Sequence, residues 1–287
     1  MEDSFQVIEN YLMVRMPEEI DHHKSVYISK KADDYIMQSG VGNVVFDFED
    51  TKFMDSSGIG IIIGRYKKIS YFGGKTQQVE KNTRVKARVK AHALREIITG
   101  KDRVIVMGHR MPDVDSFGSA VGIYRIAQTL GRKAHIVLNE ATISVQPLVE
   151  LFKNNPEYDE DMIITSQQAI DMAGSNTVLV VVDVNKPSIT ECPDLLRFCK
   201  SVVVLDHHRQ GTETIENATL SYVEPYASSA CEMVSEILQY TYDNIKIRTE
   251  EADCMYSGIM IDTNNFMTKT GVRTFEAAAF LRRNGAD

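Results

Sequence analysis

The chain has 287 residues, of which 43% are hydrophobic and 25% charged, and its net charge is −8. That length suits one large domain or two ordinary ones, and the composition excludes a disordered or fibrous protein. An acidic surface repels nucleic acid in general, so a phosphate-bearing ligand must be drawn in by a local metal or basic site. No apolar run approaches the ~20 residues that a membrane-spanning helix needs. The opening MEDSFQVIEN is acidic rather than signal-like, so a cytoplasmic location is expected. Cys192, Cys199, Cys231 and Cys254 show no CxxC spacing and are read as buried free thiols in a reducing compartment.

In chain order, residues 5–7 and 11–14 read as short strands, 21–38 as an amphipathic helix and 44–48 as a buried strand. Asp55, Ser56 and Ser57 offer capping side chains to a helix over 58–68, and Gly73-Gly74 is a breaker. Over residues 79–99, Val85, Val89, Ala93 and Ile97 recur at i+4 opposite a basic face. This is an amphipathic linking helix with a solvated face, stopped by Gly100. Beyond it, 104–107, 134–138, 178–182 and 202–205 read as strands, and 116–130, 228–240, 249–261 and 274–283 as helices. Continuous β-branched runs belong to strands buried on both faces. The alternation predicts an α/β fold with a doubly wound parallel sheet.

The chemistry-bearing residues follow these runs. His109, Asp113 and Asp115 come after 104–107, Asp183 after 178–182, Asp206-His207-His208-Arg209 after 202–205, and Asp262 after 258–261. Ligands in open α/β sheets bind at the carboxyl ends of strands. Carboxylates with imidazoles and no thiolate suit manganese, magnesium or iron. Four aspartates balance two divalent cations, and without cations they would repel one another. A lone Asp-x-Asp is usually a turn or a cap and a lone His-His pair usually nothing. Four such clusters, each read here as following a strand, point to a metal site.

The segments GHRMPDVDSFGSAVG (108–122), VVVDVNKP (180–187), VVVLDHHRQ (202–210) and YSGIMIDTNNF (256–266) resemble the four motifs of the DHH phosphoesterases, within them the cyclic-di-AMP phosphodiesterases. The lead-in VEKNTRVKARVKAHALREII (79–98) resembles the helix preceding their DHH domain. The resemblance implies two divalent ions, manganese being expected: one held by His109, Asp113 and Asp183, the other by Asp115, Asp183, His207 and Asp262, with Asp183 bridging. It implies that His208 lies beside the phosphate for binding or proton transfer. Arg209 and Lys186 would neutralise phosphate charge. The implied reaction turns a cyclic dinucleotide into a linear one, with the loop at 263–266 helping to close the site. Family members carry a further DHHA1 domain, and Asp287 is reached without one, so turnover is expected to be impaired. An exonuclease or oligoribonuclease of the same superfamily is the alternative enzyme.

The segments EEIDHHKSVYI (18–28) and FDFEDTKFMDSSGIGIIIGRYKKI (46–69) resemble anti-sigma factor antagonists of the STAS family. The likeness implies that Ser57 is phosphorylated by a partner kinase that also acts as anti-sigma factor. Asp21-His22-His23 follows no apolar strand and belongs to this pattern as a helix start, not as a second ligand set. The STAS pattern calls for one more strand and a final helix after Gly74, and neither is legible, so a junction is placed at Gly73-Gly74-Lys75. The expected organisation is a partial STAS-like domain over 1–75, a linking helix over 76–100 and a DHH domain over 101–287. Expected partners are a cyclic dinucleotide, an anti-sigma kinase acting through residues 1–75, and a second copy in a homodimer. The alternative of a different class is a phosphorylation-switched binding module with an inactive DHH portion.

Overall fold

The structure, a computed structural model, describes residues 4–8, 11–39, 41, 43–47, 50–51, 53–54, 61, 64, 76–79, 83–153, 155–242 and 245–287. Among them no helix is long and apolar enough to cross a membrane. The chain divides into two compact units, Met1–Val89 and Lys90–Asp287.

In the first unit, β1 (Phe5–Ile8) pairs antiparallel with β2 (Tyr11–Arg15), and β4 (Asn43–Asp47) lies parallel to β2. Two short strands, β3 (Glu19–Ile20) and β5 (Phe53–Met54), pair beside them as a parallel ladder of their own. Helix α1 (His22–Ser39) begins at Asp21, whose Oδ1 accepts the Lys24 N–H at 2.8 Å. The Asp-His-His tripeptide therefore opens a helix. Ile28, Ala32 and Ile36 recur at helical spacing and pack with Leu12, Val14, Val44 and Phe46. The helix expected over 58–68 and Ser57 lie outside the described residues.

A strand does follow Gly74. β6 (Thr76–Val79) lies parallel to β4 and completes the order β1-β2-β4-β6. Its sequence, Thr-Gln-Gln-Val, carries no apolar alternation, so pairing rather than hydropathy selects it. Helix α2 (Thr83–Thr99) starts four residues later than the periodicity suggests. Val89 joins the core of the first unit, whereas Leu94 and Ile98 are fully buried in the second.

The second unit is a six-stranded, wholly parallel sheet. Its strands are β7 (Arg103–Met107), β8 (Lys133–Val137), β9 (Ile163–Ile164), β10 (Thr177–Val182), β11 (Ser201–Asp206) and β12 (Leu220–Val223), in the order β12-β11-β10-β7-β8-β9. Every residue of β10 is buried, as its continuous apolar, mostly β-branched run requires of a central strand. The chain leaves β7 toward β8 and β9 and returns to β10 on the other side. The β7–β10 pair is therefore the switch point of a doubly wound sheet, where a crevice opens at the carboxyl ends. β9 and β12 are short strands absent from the sequence reading.

Helix α3 (Val114–Thr129) follows β7 and packs along α7 (Ala230–Thr241) and α8 (Thr249–Asp262), which also meet α9 (Val272–Arg283). Arg125 on α3 makes a two-pronged pair at 2.8 and 2.5 Å with Glu251 on α8, whose side chain is fully buried. A Cβ on Gly118 of α3 would stand 2.6 Å from the Cys254 carbonyl oxygen on α8. Only glycine lets these two backbones approach so closely. Because α3 carries Asp115 and α8 ends in Asp262, that approach also sets the spacing of two candidate ligands. Gly118→Ala is expected to cost about 1–3 kcal/mol through overpacking, read as a lower denaturant midpoint with an unchanged m-value. A midpoint equal to wild type would contradict the tight α3–α8 packing.

Candidate metal centre

The centre lies where β7, β10 and β11 end side by side. Asp183 is the first residue past β10 and His207 the first past β11, while His109 stands two residues beyond β7. Asp113 and Asp115 belong to the turn into α3. Asp262 does not follow a strand: it is the last residue of α8, brought in by the packing of α8 against α3. The apolar 258–261 run that precedes it in sequence is helical.

Two groups of donors share Asp183. His109 Nε2 lies 3.3 Å from Asp183 Oδ2 and 3.6 Å from Asp113 Oδ2. His207 Nε2 lies 3.3 Å from Asp183 Oδ1, 3.4 Å from Asp262 Oδ2 and 3.7 Å from Asp115 Oδ2. An imidazole nitrogen carries at most one hydrogen, so it cannot serve three carboxylates. Asp183 Oδ1 and His207 Nε2 are both buried without a hydrogen-bond partner, a costly state for polar atoms unless something else satisfies them. Ligand atoms about 2.1 Å from one ion stand about 3–3.5 Å apart, which matches these separations. Carboxylate and imidazole groups that could hold a metal ion thus converge here: His109, Asp113 and Asp183; Asp115, His207 and Asp262; and Asp183, His207 and His208.

Local structure fixes each donor. Asp113 caps α3, its Oδ1 accepting the Ser116 N–H at 2.9 Å, so the cap and the ligand reading of this Asp-x-Asp hold together. Asp115 accepts the Ala230 and Cys231 N–H groups at 2.6 and 2.8 Å, at the N-terminus of α7. There the helix dipole favours a carboxylate. Asp183 has φ +58°, the left-handed region that side-chain-bearing residues rarely adopt. Such strain persists where the surroundings over-determine the residue, as at functional sites.

His208 stands at the edge of this cluster, its Nδ1 3.6 Å from Asp183 Oδ1 but closer to Asp206. Its Nδ1 lies 2.8 Å from Asp206 Oδ1, and Asp206 is fully buried with its other oxygen accepting the Asn185 amide. Asp206 and Asn185 were absent from the sequence-derived site. The one available signal was that Asp206 opens the tripeptide containing both histidines. A cleft of about 460 Å³ runs from His109, Asp113 and Asp183 past His208 to Lys186 and Arg209. The sequence-derived substrate residues therefore share one cavity with three of the candidate donors, His109, Asp113 and Asp183.

The titration behaviour reflects this crowding. Burial opposes the His109 imidazolium, but Asp113 and Asp183 beside it push its pKa up to about 10. Burial likewise opposes His207, and Asp183, Asp115 and Asp262 raise it to about 9. Burial lifts Asp262 to about 6 against the pull of His207. Burial, then Asp183 and Asp262, raise Asp115 well above the usual carboxylate range. Burial acts to raise Asp183 as well, yet His109 and His207 outweigh it and hold it low. Both histidines are thus protonated at pH 7, and a metal requires their neutral form. Manganese uptake at pH 7 is expected to release about two protons, measurable by calorimetry in buffers of different ionisation heat. Affinity should rise as pH climbs toward 9 and fall below about 6 as Asp262 gains its proton. Uptake without proton release would contradict binding through these imidazoles.

The model of the DHH family, N-terminal domain, matches residues 103–259, and that of the STAS domain matches residues 4–106. The chain is 40% identical over 262 residues to cyclic-di-AMP phosphodiesterase GdpP of Bacillus subtilis (strain 168), covering 86% of this chain and 39% of that protein. It is 38% identical over 289 residues to cyclic-di-AMP phosphodiesterase PdeA of Listeria monocytogenes serotype 1/2a (strain 10403S), covering 100% of this chain and 43% of that protein. The chain thus spans well under half the length of these relatives. Over 63 residues it is 41% identical to the anti-sigma F factor antagonist of Paenibacillus polymyxa, 22% of this chain and 54% of that protein. Among solved structures, an exopolyphosphatase-related protein from Bacteroides fragilis shares the fold at TM-score 0.58 and 20% identity, over 70% of this chain and 58% of that one. With more than half of its residues matched by that first family model, and with the motif residues gathered at one sheet edge, the chain belongs to the DHH family and carries a STAS match ahead of it.

Proposed function

We propose that residues 101–287 form a metal-dependent phosphodiesterase domain that hydrolyses a cyclic dinucleotide of the cyclic-di-AMP kind to a linear dinucleotide. The observation that carries this is Asp183, one carboxylate whose two oxygens face two separate donor groups. The names of the two bacterial relatives support the substrate class. His109, Asp113 and Asp183 would hold one ion, and Asp115, Asp183, His207 and Asp262 the other, manganese being the ion proposed. Two such ions, when bound, supply Lewis acidity to the phosphate and bring a water molecule's pKa near neutrality.

The chain's own residues supply position and protons. Asp206 fixes the His208 ring through Nδ1, which leaves its other nitrogen free for the cleft. His208 then donates a proton to the departing ribose oxygen. The hydrogen bond to Asp206 and the charge of Asp183 raise the His208 pKa against its burial, which favours the proton-donating form. Arg209 and Lys186 line the cleft wall and would neutralise phosphate charge of the bound dinucleotide.

The full chain, incubated with manganese, is expected to convert cyclic-di-AMP to the linear dinucleotide faster than it degrades a short oligoribonucleotide. His208→Ala should lower kcat by about 10²–10⁴, the usual worth of a positioned acid. Oligoribonucleotide degradation alone would favour the exonuclease reading, and an undiminished His208→Ala would remove the proton-donor role.

For the first unit we propose a partner-binding role switched by phosphorylation at Ser57. Identity to the Paenibacillus antagonist supports it. Incubation with an anti-sigma kinase and ATP should place phosphate on Ser57, read by mass spectrometry. Phosphate elsewhere, or none, would contradict it.

A further inference from the structure

We infer that Arg110, Lys186 and Arg209 form an anion subsite for the second phosphate of the dinucleotide, the one that is not cleaved. This inference rests on the phosphodiesterase reading above and adds Arg110, which lies within the 108–122 motif but is given no role there.

The three cations follow the donors on three adjacent strands. Arg110 is next to His109 past β7, Lys186 lies three residues past Asp183 on β10, and Arg209 two past His207 on β11. Neighbouring strands lie about 4.8 Å apart, so the sheet edge that lines up the donors also lines up the cations. All three line the same cleft as His109, Asp113 and Asp183. No side-chain hydrogen bond or ion pair holds any of the three among the described residues. The wall that carries Arg110 is nonetheless fixed by its backbone. Its N–H donates to the Ile189 carbonyl at 2.9 Å, and His109 pairs with Thr190 in an antiparallel bridge. That bridge holds Arg110 against the Pro187–Ile189 turn that follows Lys186.

Charge and shape identify the occupant. Three cations line one cleft in a chain of net charge −8, so a cleft that also holds Asp113 and Asp183 gains a positive wall in an acidic protein. The cleaved phosphate would meet its compensation at the ions that the carboxylate–histidine cluster would hold. A cyclic dinucleotide carries its two phosphodiesters on opposite sides of one ring. When one sits at that cluster, the other stays in the cleft, charged and partly desolvated, and needs donors of its own. Guanidinium forks and an ammonium meet that need. A substrate with one phosphate gains nothing from the subsite, so it confers selectivity for dinucleotides.

The test compares wild type, Arg110→Ala and Arg110→Lys, all as the full chain. Two quantities are read: kcat/KM for cyclic-di-AMP relative to bis(p-nitrophenyl) phosphate in manganese, and the Kd for cyclic-di-AMP with calcium in place of manganese. Losing one charge-assisted contact should lower the kcat/KM ratio and weaken binding by about tenfold or more in Arg110→Ala. The lysine variant should recover part of both, and the salt dependence of Kd should become shallower in Arg110→Ala. An equal fall on both substrates, or an unchanged Kd, would overturn the subsite. A wild type that cleaves cyclic-di-AMP while Arg110→Ala keeps its ratio sinks the subsite alone. A wild type that cleaves only the single-phosphate ester and does not bind the dinucleotide sinks the substrate reading with it.

Discussion

Two buried aspartates, Asp115 and Asp183, cannot stand beside the half-buried Asp262 and the more exposed Asp113 as free anions without compensation. Asp113, Asp115, Asp183 and Asp262 surround two imidazoles at separations of 3.3 to 3.7 Å, and two of the donor atoms have no hydrogen-bond partner. That excess of buried negative charge is the constraint on which the second unit is built. Protons on His109 and His207 offset it in part, and the N-terminus of α7 offsets it at Asp115. Divalent cations would offset it fully. Asp183 is the pivot, because its left-handed backbone turns one carboxylate toward both histidines.

The fold serves that constraint through topology. The β7–β10 switch point puts His109 and Asp183 on adjacent strands, and β11 adds His207 from the other side. The remaining donors arrive through helices. Asp113 and Asp115 start α3, and Asp262 ends α8, so the packing of those two helices, with Gly118 at their contact, belongs to the site as much as the strands do. His208 and Asp206 form a second pair pointing along the cleft. The proposed metal donor His207 and the proposed proton donor His208 are thus joined by one peptide bond.

Much of this was legible in the sequence because buried parallel strands announce themselves. The β-branched runs of β7, β10 and β11 mark the strands, and the polar residues immediately past them mark the crevice. The sequence marks Asp262 as a candidate donor but counts it as following a strand, although the 249–261 run before it reads as a helix, which is what the structure has. β6 was missed because Thr-Gln-Gln-Val has no apolar pattern, and its pairing with β4 is a tertiary effect. Asp206 is named in the sequence without a role, and Asn185 is not singled out, because its amide meets Asp206 across 21 residues, a relation that spacing does not encode. Arg110 was passed over for the same reason: nothing in its local sequence shows that Lys186 and Arg209 line the same cleft.

The sharing of Asp183 between two cations is most directly tested by electron paramagnetic resonance of the full chain titrated with manganese. Two ions joined through one carboxylate will replace the isolated six-line signal with an exchange-coupled spectrum as the second equivalent binds, and Asp183→Asn will lose that coupling. A spectrum that at two equivalents remains a sum of isolated ions would contradict the shared centre.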